Sequence, residues 1–211
     1  MHYSVTPVSR EVLRRRMREA VGVYVDAMGY APAMIDDRIR AWTAHQREPG
    51  WAAVAAILHP PATPAAEAVA RADCPIVGVA YCHHGTTRQW WHRQVRGGLA
   101  GTRPVSEIQA LLADYVELAE IHVDPRHQGQ GLGPRMLRLL LADRPEPRVL
   151  LSTPEAGAEG NRAWRLYRSL GFADVLRDFR FAGDPRPFAV LAADLPLPEA
   201  PGPAGAPGAR R

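Results

Sequence analysis

The chain has 211 residues, 46% hydrophobic and 23% charged, with a formal net charge of +4 at pH 7. That is the balance of an ordinary soluble globular protein with length enough for one substantial core, and no apolar run approaches the roughly 18 residues a membrane helix needs. All basic side chains other than histidine are Arg, and Cys74 and Cys82 are the only cysteines. Two thiols are too few for a disulfide framework and suit a reducing cytoplasm, and the N-terminus lacks the basic-then-apolar pattern of a secretory signal.

In chain order, HYSVTPV reads as a first strand. Ser9 can cap a helix from Arg10, on which Leu13, Met17, Ala20, Val21 and Tyr24 recur at helical spacing. The basic run Arg14 to Arg18 falls on that helix as a solvated face. A second helix is expected over Ala33 to His45, with Met34, Ile35, Ile39 and Trp42 inward. WAAVAAIL and PIVGVAYCHH read as paired strands rich in small and β-branched residues, joined by a surface excursion from His59 to Pro75. An insertion over residues 85–114, between the third and fourth strands, should hold one or two short helices. YVELAEIHVDP is a strand stopped by Asp-Pro, PRMLRLLLAD a helix, RVLLSTP a strand, NRAWRLYRSLGF a helix ending at Gly171, and PFAVLAADL a last strand. The fold class is α/β with a mixed sheet, in one domain over residues 1–195, followed by a disordered Pro/Gly-rich tail at 196–211. Because a single helix separates ELAEIHV from RVLLSTP, those strands should be parallel neighbours.

Between that strand and helix lies PRHQGQGLGPRM, with glycines at 129, 131 and 133. A strand-to-helix turn without Cβ atoms exposes backbone N–H groups at the positive end of a helix dipole, which makes an anion cradle. Pro134 fits the first helical turn, and Arg126 and Arg135 flank it. The dinucleotide fingerprint fails because the third glycine comes one residue early, and the nucleoside-triphosphate loop fails for want of a lysine.

Arg126-His127-Gln128-Gly129-Gln130-Gly131 instead resembles the [RQ]-x-x-G-x-[GA] signature of the GNAT superfamily of acyl-CoA N-acyltransferases. Downstream, Asn161 to Phe172 is similar to that family's N-x-x-A-x-x-[LF]-Y-x-x-x-G-F helix, in register from Ala163 to Phe172, with Asn161 one residue closer to the alanine than the pattern has it. The resemblance covers about Val116 to Phe172. It implies a GNAT-like fold with splayed central parallel strands, and acetyl-CoA as acyl donor. Pyrophosphate would be held by the backbone from Gln128 through Gly129, Gln130, Gly131 and Leu132 to Gly133, with Arg126 and Asn161 nearby. Pantetheine would run along Ile121, His122 and Val123.

The implied reaction is direct attack of a primary amine on the thioester. An alkylammonium must first lose a proton, the carbonyl oxygen needs a donor, here around Val123, and the leaving thiolate gains from protonation. By motif position Tyr167 is the general acid, and it also lies against the coenzyme. Glu120 and Glu117 are the candidate bases, with Glu120 favoured as nearer the thioester; alternation puts them on opposite faces of the strand unless a bulge intervenes. His122 is a further candidate. Trp90 and Trp91 are expected to line the acceptor pocket or its lid, or else to anchor the insertion. His83, His84, His92, His122 and His127 match no common metal spacing, so no metal is expected.

The acceptor is a small-molecule or peptide amine, in the cytoplasm, with no nucleic acid or membrane partner expected and a homodimer common in the family. The alternatives are a non-catalytic acyl-CoA-binding sensor and a nucleic-acid-binding protein. Thiol release across an amine panel separates the first, and binding at moderate salt the second.

Overall fold

The computed structural model describes residues 1–155 and 160–198. Its strands are β1 (His2–Pro7), β2 (Ala52–His59), β3 (Ile76–His84), β4 (Val116–Val123), β5 (Arg148–Pro154), β6 (Ala173–Phe179) and β7 (Phe188–Asp194). They form one seven-stranded sheet in the order β1-β2-β3-β4-β5-β7-β6. Every neighbouring pair is antiparallel except β4 and β5, the pair expected to be parallel from its single-helix crossover.

The helices are α1 (Arg10–Arg15), α2 (Met17–Met28), α3 (Ile35–His45), the short α4 (Ala65–Ala68), α5 (Trp90–Ala100), α6 (Val105–Leu112), α7 (Leu132–Leu141) and α8 (Arg162–Ser169). On one face α7 and α8 bury Met136, Leu137, Trp164 and Leu170 against Val116, Leu118 and Val149. On the other, α2 and α3 pack Val21, Tyr24 and Trp42 against Ile57, Val79 and Tyr81. The insertion supplies α5 and α6, which bury Trp91, Val95 and Leu112 against Tyr115, Leu150 and Val190. Helices on both faces explain why β2 and β3 are nearly continuous apolar runs. Among the described residues no helix is long and apolar enough to cross a membrane.

The structure departs from the expected elements in several places. The first helix breaks at Arg16, whose backbone leaves helical geometry at φ −102°, ψ 16°. Arg16 is buried rather than solvated; its guanidinium pairs with Glu19 at 2.6 Å and donates to the carbonyls of Val69 and Cys74. It thereby ties down the excursion that carries α4. β6 was not anticipated because it is an edge strand, mostly exposed, with register irregularities and a left-handed Asp178 at φ 49°. Leu195 and Leu197 pack against the α7–α8 core, whereas residues 199–211 of the expected tail lie outside the described residues.

One irregularity matters most. Along the β3–β4 ladder Tyr81 faces Glu120 and Cys82 faces Leu118, so Ala119 is an extra residue on β4. This bulge reverses the phase of alternation. Val116, Leu118, Ile121 and Val123 therefore share the α7 face, while Glu117, Glu120 and His122 share the opposite one.

Candidate active site

β4 and β5 pair only at Val116–Val149 and Glu117–Leu150, although both strands run on toward their C-terminal ends. Beyond Glu117 they diverge, leaving a cleft of about 1330 Å3 that passes between them. Its lining runs from the turn before α7, past β4, β5 and α8, to α2, α3 and α5.

At one end of the cleft is the glycine turn. Gly129 and Gly131 sit at φ 82° and 68°, in the left-handed region that a β-carbon disfavours, and a Cβ at either would meet open space. Gly131 occupies the N-cap position of α7 without any side-chain cap. Among the described residues the N–H groups of Gly129 to Gly133 have no protein acceptor, so they are available to an anion. Gln128 braces the turn: its amide donates to the Val123 carbonyl at 3.0 Å and its oxygen accepts from Arg162 at 2.8 Å. Gly129, Gly131, Leu132 and Gly133 line the cleft together with Gln128, Ile121, His122 and Val123. Arg126, Gln130 and Asn161 do not. Arg126 is folded back on Asp124 at 2.6 Å, and Asn161 caps α8 by accepting from the Trp164 N–H at 2.9 Å. The arginines that line the cleft beside the turn are Arg162 and Arg165.

At the middle are the ionisable groups. Glu120 is held by two donors, Trp42 Nε1 at 3.2 Å and His122 Nε2 at 2.6 Å. His122 in turn stands edge-on to Tyr24, ring centres 4.8 Å apart. Glu117 is different. It is buried where the strands part, and its Oε2 has no hydrogen-bond partner among the described residues. Burial, reinforced by the Glu48 and Glu120 carboxylates, pushes its pKa up to about 8. Tyr167 comes from α8 on the opposite side of the sheet, is buried, and lines the same cleft. Burial, with a contribution from Glu120 across the gap, raises its pKa and keeps it protonated.

Several lining residues carry no role assigned from the sequence. His83 pairs with Glu117 across the ladder. Burial and the neighbouring His45 bring its pKa down to about 4, and its Nε2 has no partner among the described residues. Gln89 donates to Glu48 at 2.8 Å and lies 3.3 Å from His83 Nδ1, while His45 Nδ1 and the Tyr81 hydroxyl are 2.9 Å apart. The signal was present: Tyr81 and His83 are polar-tipped residues two apart on a strand that is apolar up to Cys82, hence on one face. The other histidines scatter to different partners, His84 to Glu146, His92 to Tyr115 and His127 to Tyr3.

Trp90 and Trp91 both line the cleft. Trp91 is buried and donates to Ser152 Oγ on β5 at 3.1 Å, whereas Trp90 is 49% exposed and lies against Phe181. Trp91→Ala is expected to destabilise the fold by about 3 kcal/mol, read by denaturant unfolding, whereas Trp90→Ala should change stability little.

A sheet opened between its central parallel strands, beside a bare helix N-terminus, is the architecture of an α/β acyltransferase. Residues 69–174 match a family model described as an acetyltransferase (GNAT) domain. Over 194 residues, 88% of this chain and 94% of the relative, the sequence is 47% identical to the "GCN5-like protein acetyltransferase Rv2170" of Mycobacterium tuberculosis. The chain belongs to the GNAT acetyltransferase family, and is an acyltransferase. Its fold is similar to that of Arabidopsis thaliana NAA60 in complex with acetyl-CoA (TM-score 0.54, 13% identity, 92% of this chain and 99% of that one). It is likewise similar to the ribosomal-protein-S18-alanine N-acetyltransferase of Escherichia coli (TM-score 0.52, 15% identity, 92% and 94%).

Proposed function

We propose that the protein transfers an acetyl group from acetyl-CoA to a primary amine of a polypeptide by direct attack in a ternary complex. The observation that carries the reading is Glu117: a buried carboxyl where β4 and β5 part, one oxygen of which has no partner among the described residues. The amides from Gly129 to Gly133, which have no acceptor among the described residues, suit the coenzyme's pyrophosphate, and the diverging edges of β4 and β5 suit its pantetheine, with Ile121, His122 and Val123 along one side. A polypeptide acceptor is supported by the 47% identical relative being a protein acetyltransferase. A reducing cytoplasm fits the two buried free thiols.

Glu117 is the better base. Glu120 already accepts from Trp42 and His122 and stays in place to orient His122, whereas Glu117 has an oxygen free to take the ammonium proton. Tyr167, on the other side of the gap, is the group to protonate the departing thiolate. Tyr167→Phe is expected to lower kcat about tenfold with acetyl-CoA affinity unchanged, measured by steady-state kinetics and calorimetry. The function itself is tested by following free CoA thiol while acetyl-CoA is mixed with lysine-containing peptides. Release that depends on peptide supports the transferase; tight acetyl-CoA binding with no release from any amine would make it a sensor.

A further inference from the structure

The acceptor end of the cleft is polarised. Its lining holds Glu117, which is buried, Glu48, Glu120 and Arg38, which are half-buried, and Arg88 and Arg93, which are exposed. Around Arg38 the carboxylates are already matched. Asp36 pairs with Arg18 at 2.5 Å, Asp37 with Arg40, Asp184 with Arg186 at 2.6 Å, and Glu120 with His122 at 2.6 Å. Arg38 is left over. Among the described residues it has no ion pair, and its guanidinium is held over the Tyr24 ring, 5.2 Å from the ring centre. Its charge reaches well into the cleft, pulling down the pKa values of Tyr24, His45, Tyr81 and Asp184 against or along with their other influences. Arg93 donates only to the Arg88 carbonyl, and among the described residues neither of these two has an ion pair.

A half-buried guanidinium with no counter-ion is costly to hold, and a carboxylate supplied by a ligand relieves that cost. The glutamates that line the same cleft, Glu117 more deeply buried than Arg38, favour an ammonium. The two together select a molecule with an amine at its tip and an anionic group set back from it.

We propose that the acceptor is a lysine side chain flanked by an acidic residue. The lysine amine reaches Glu117, the neighbouring Asp or Glu of the same polypeptide pairs with Arg38, and Arg88 and Arg93 add attraction at longer range. This rests on the polypeptide-acceptor reading and adds its sequence context.

The test uses three peptides of equal length with a single lysine, flanked on both sides by Glu, by Gln or by Arg. With the full chain and saturating acetyl-CoA, kcat/KM is expected to favour the Glu peptide over the Gln peptide about tenfold, through KM, and the preference should shrink as salt rises. Arg38→Gln should abolish most of that preference and Arg38→Lys retain part of it, with acetyl-CoA binding reporting that both variants are folded. Equal kcat/KM for the Glu and Gln peptides, or a Glu preference untouched by Arg38→Gln, overturns the assignment. If all three peptides fail while free alkylamines release CoA, the polypeptide reading falls and this inference with it, an outcome distinct from turnover without flank preference.

Discussion

Replacing Glu117 by Gln is expected to lower kcat about a thousandfold at neutral pH and, at the same time, to raise thermal stability. The first effect follows from losing the one cleft carboxylate that has, among the described residues, a buried oxygen without a hydrogen-bond partner. In the wild-type protein kcat should climb as pH rises through about 8, where Glu117 ionises, and the variant should lack that limb. The second effect follows from linkage. The folded pKa of Glu117 lies near 8, above the ordinary carboxylate value of 4.5, because burial and the Glu48 and Glu120 charges disfavour ionisation. Between those values the unfolded chain has given up a proton that the folded chain still holds. Stability therefore falls as pH rises from about 4.5 and levels off above about 8. A glutamine is neutral throughout, so its advantage grows across the same window, to a Tm several degrees above wild type at the alkaline end. Calorimetric scans and steady-state rates across pH read both effects. A variant that kept its rate, or melted below the wild type in alkaline solution, would remove Glu117 from the role of base.

Gly131→Val is expected to weaken acetyl-CoA binding about a hundredfold while leaving the core intact. At φ 68° a β-branched residue is a genuine outlier, so the backbone must turn to accept it. That turn reorients the adjoining Leu132 and Gly133 N–H groups. Each charge-assisted hydrogen bond from an amide to phosphate is worth about 1.5–3 kcal/mol, so losing one or two accounts for the expected change. Packing is spared because a Cβ there meets no atom within 4 Å. Gly97→Ala, on α5 and equally uncrowded but away from the cradle, should bind normally. Calorimetric titration with acetyl-CoA measures both, and full affinity in Gly131→Val would show that the phosphates sit elsewhere.

The parts of the site that were legible in the sequence are those whose chemistry is local. A bare turn between a strand and a leucine-rich helix depends on consecutive residues, and so does the Asn161 to Phe172 helix that carries Tyr167. The parallel pairing of β4 with β5 was legible because a single-helix crossover allows little else. What was not legible depends on residues far apart in the chain. Alternation alone would separate Glu117 from Glu120, and only the unpaired Ala119 in the β3–β4 ladder returns them to one face. Arg126 belongs to the signature by sequence, yet Asp124 captures it and Arg162 takes the place beside the turn. β6 has too few buried residues for its pattern to stand out from a loop.

By itself, then, the sequence determined the family, the bare glycine turn before α7 and the direction of the central strands, since each follows from a few adjacent residues and the geometry they force. The tertiary structure decided which carboxylate keeps, among the described residues, an oxygen without a partner. Trp42 from α3 and His122 on β4 occupy Glu120, whereas Glu48 and His83 surround Glu117 without satisfying it. Burial and hydrogen-bond supply are properties of a residue's neighbours, and those neighbours converge on the cleft only when α3, β3, β4 and α5 pack together.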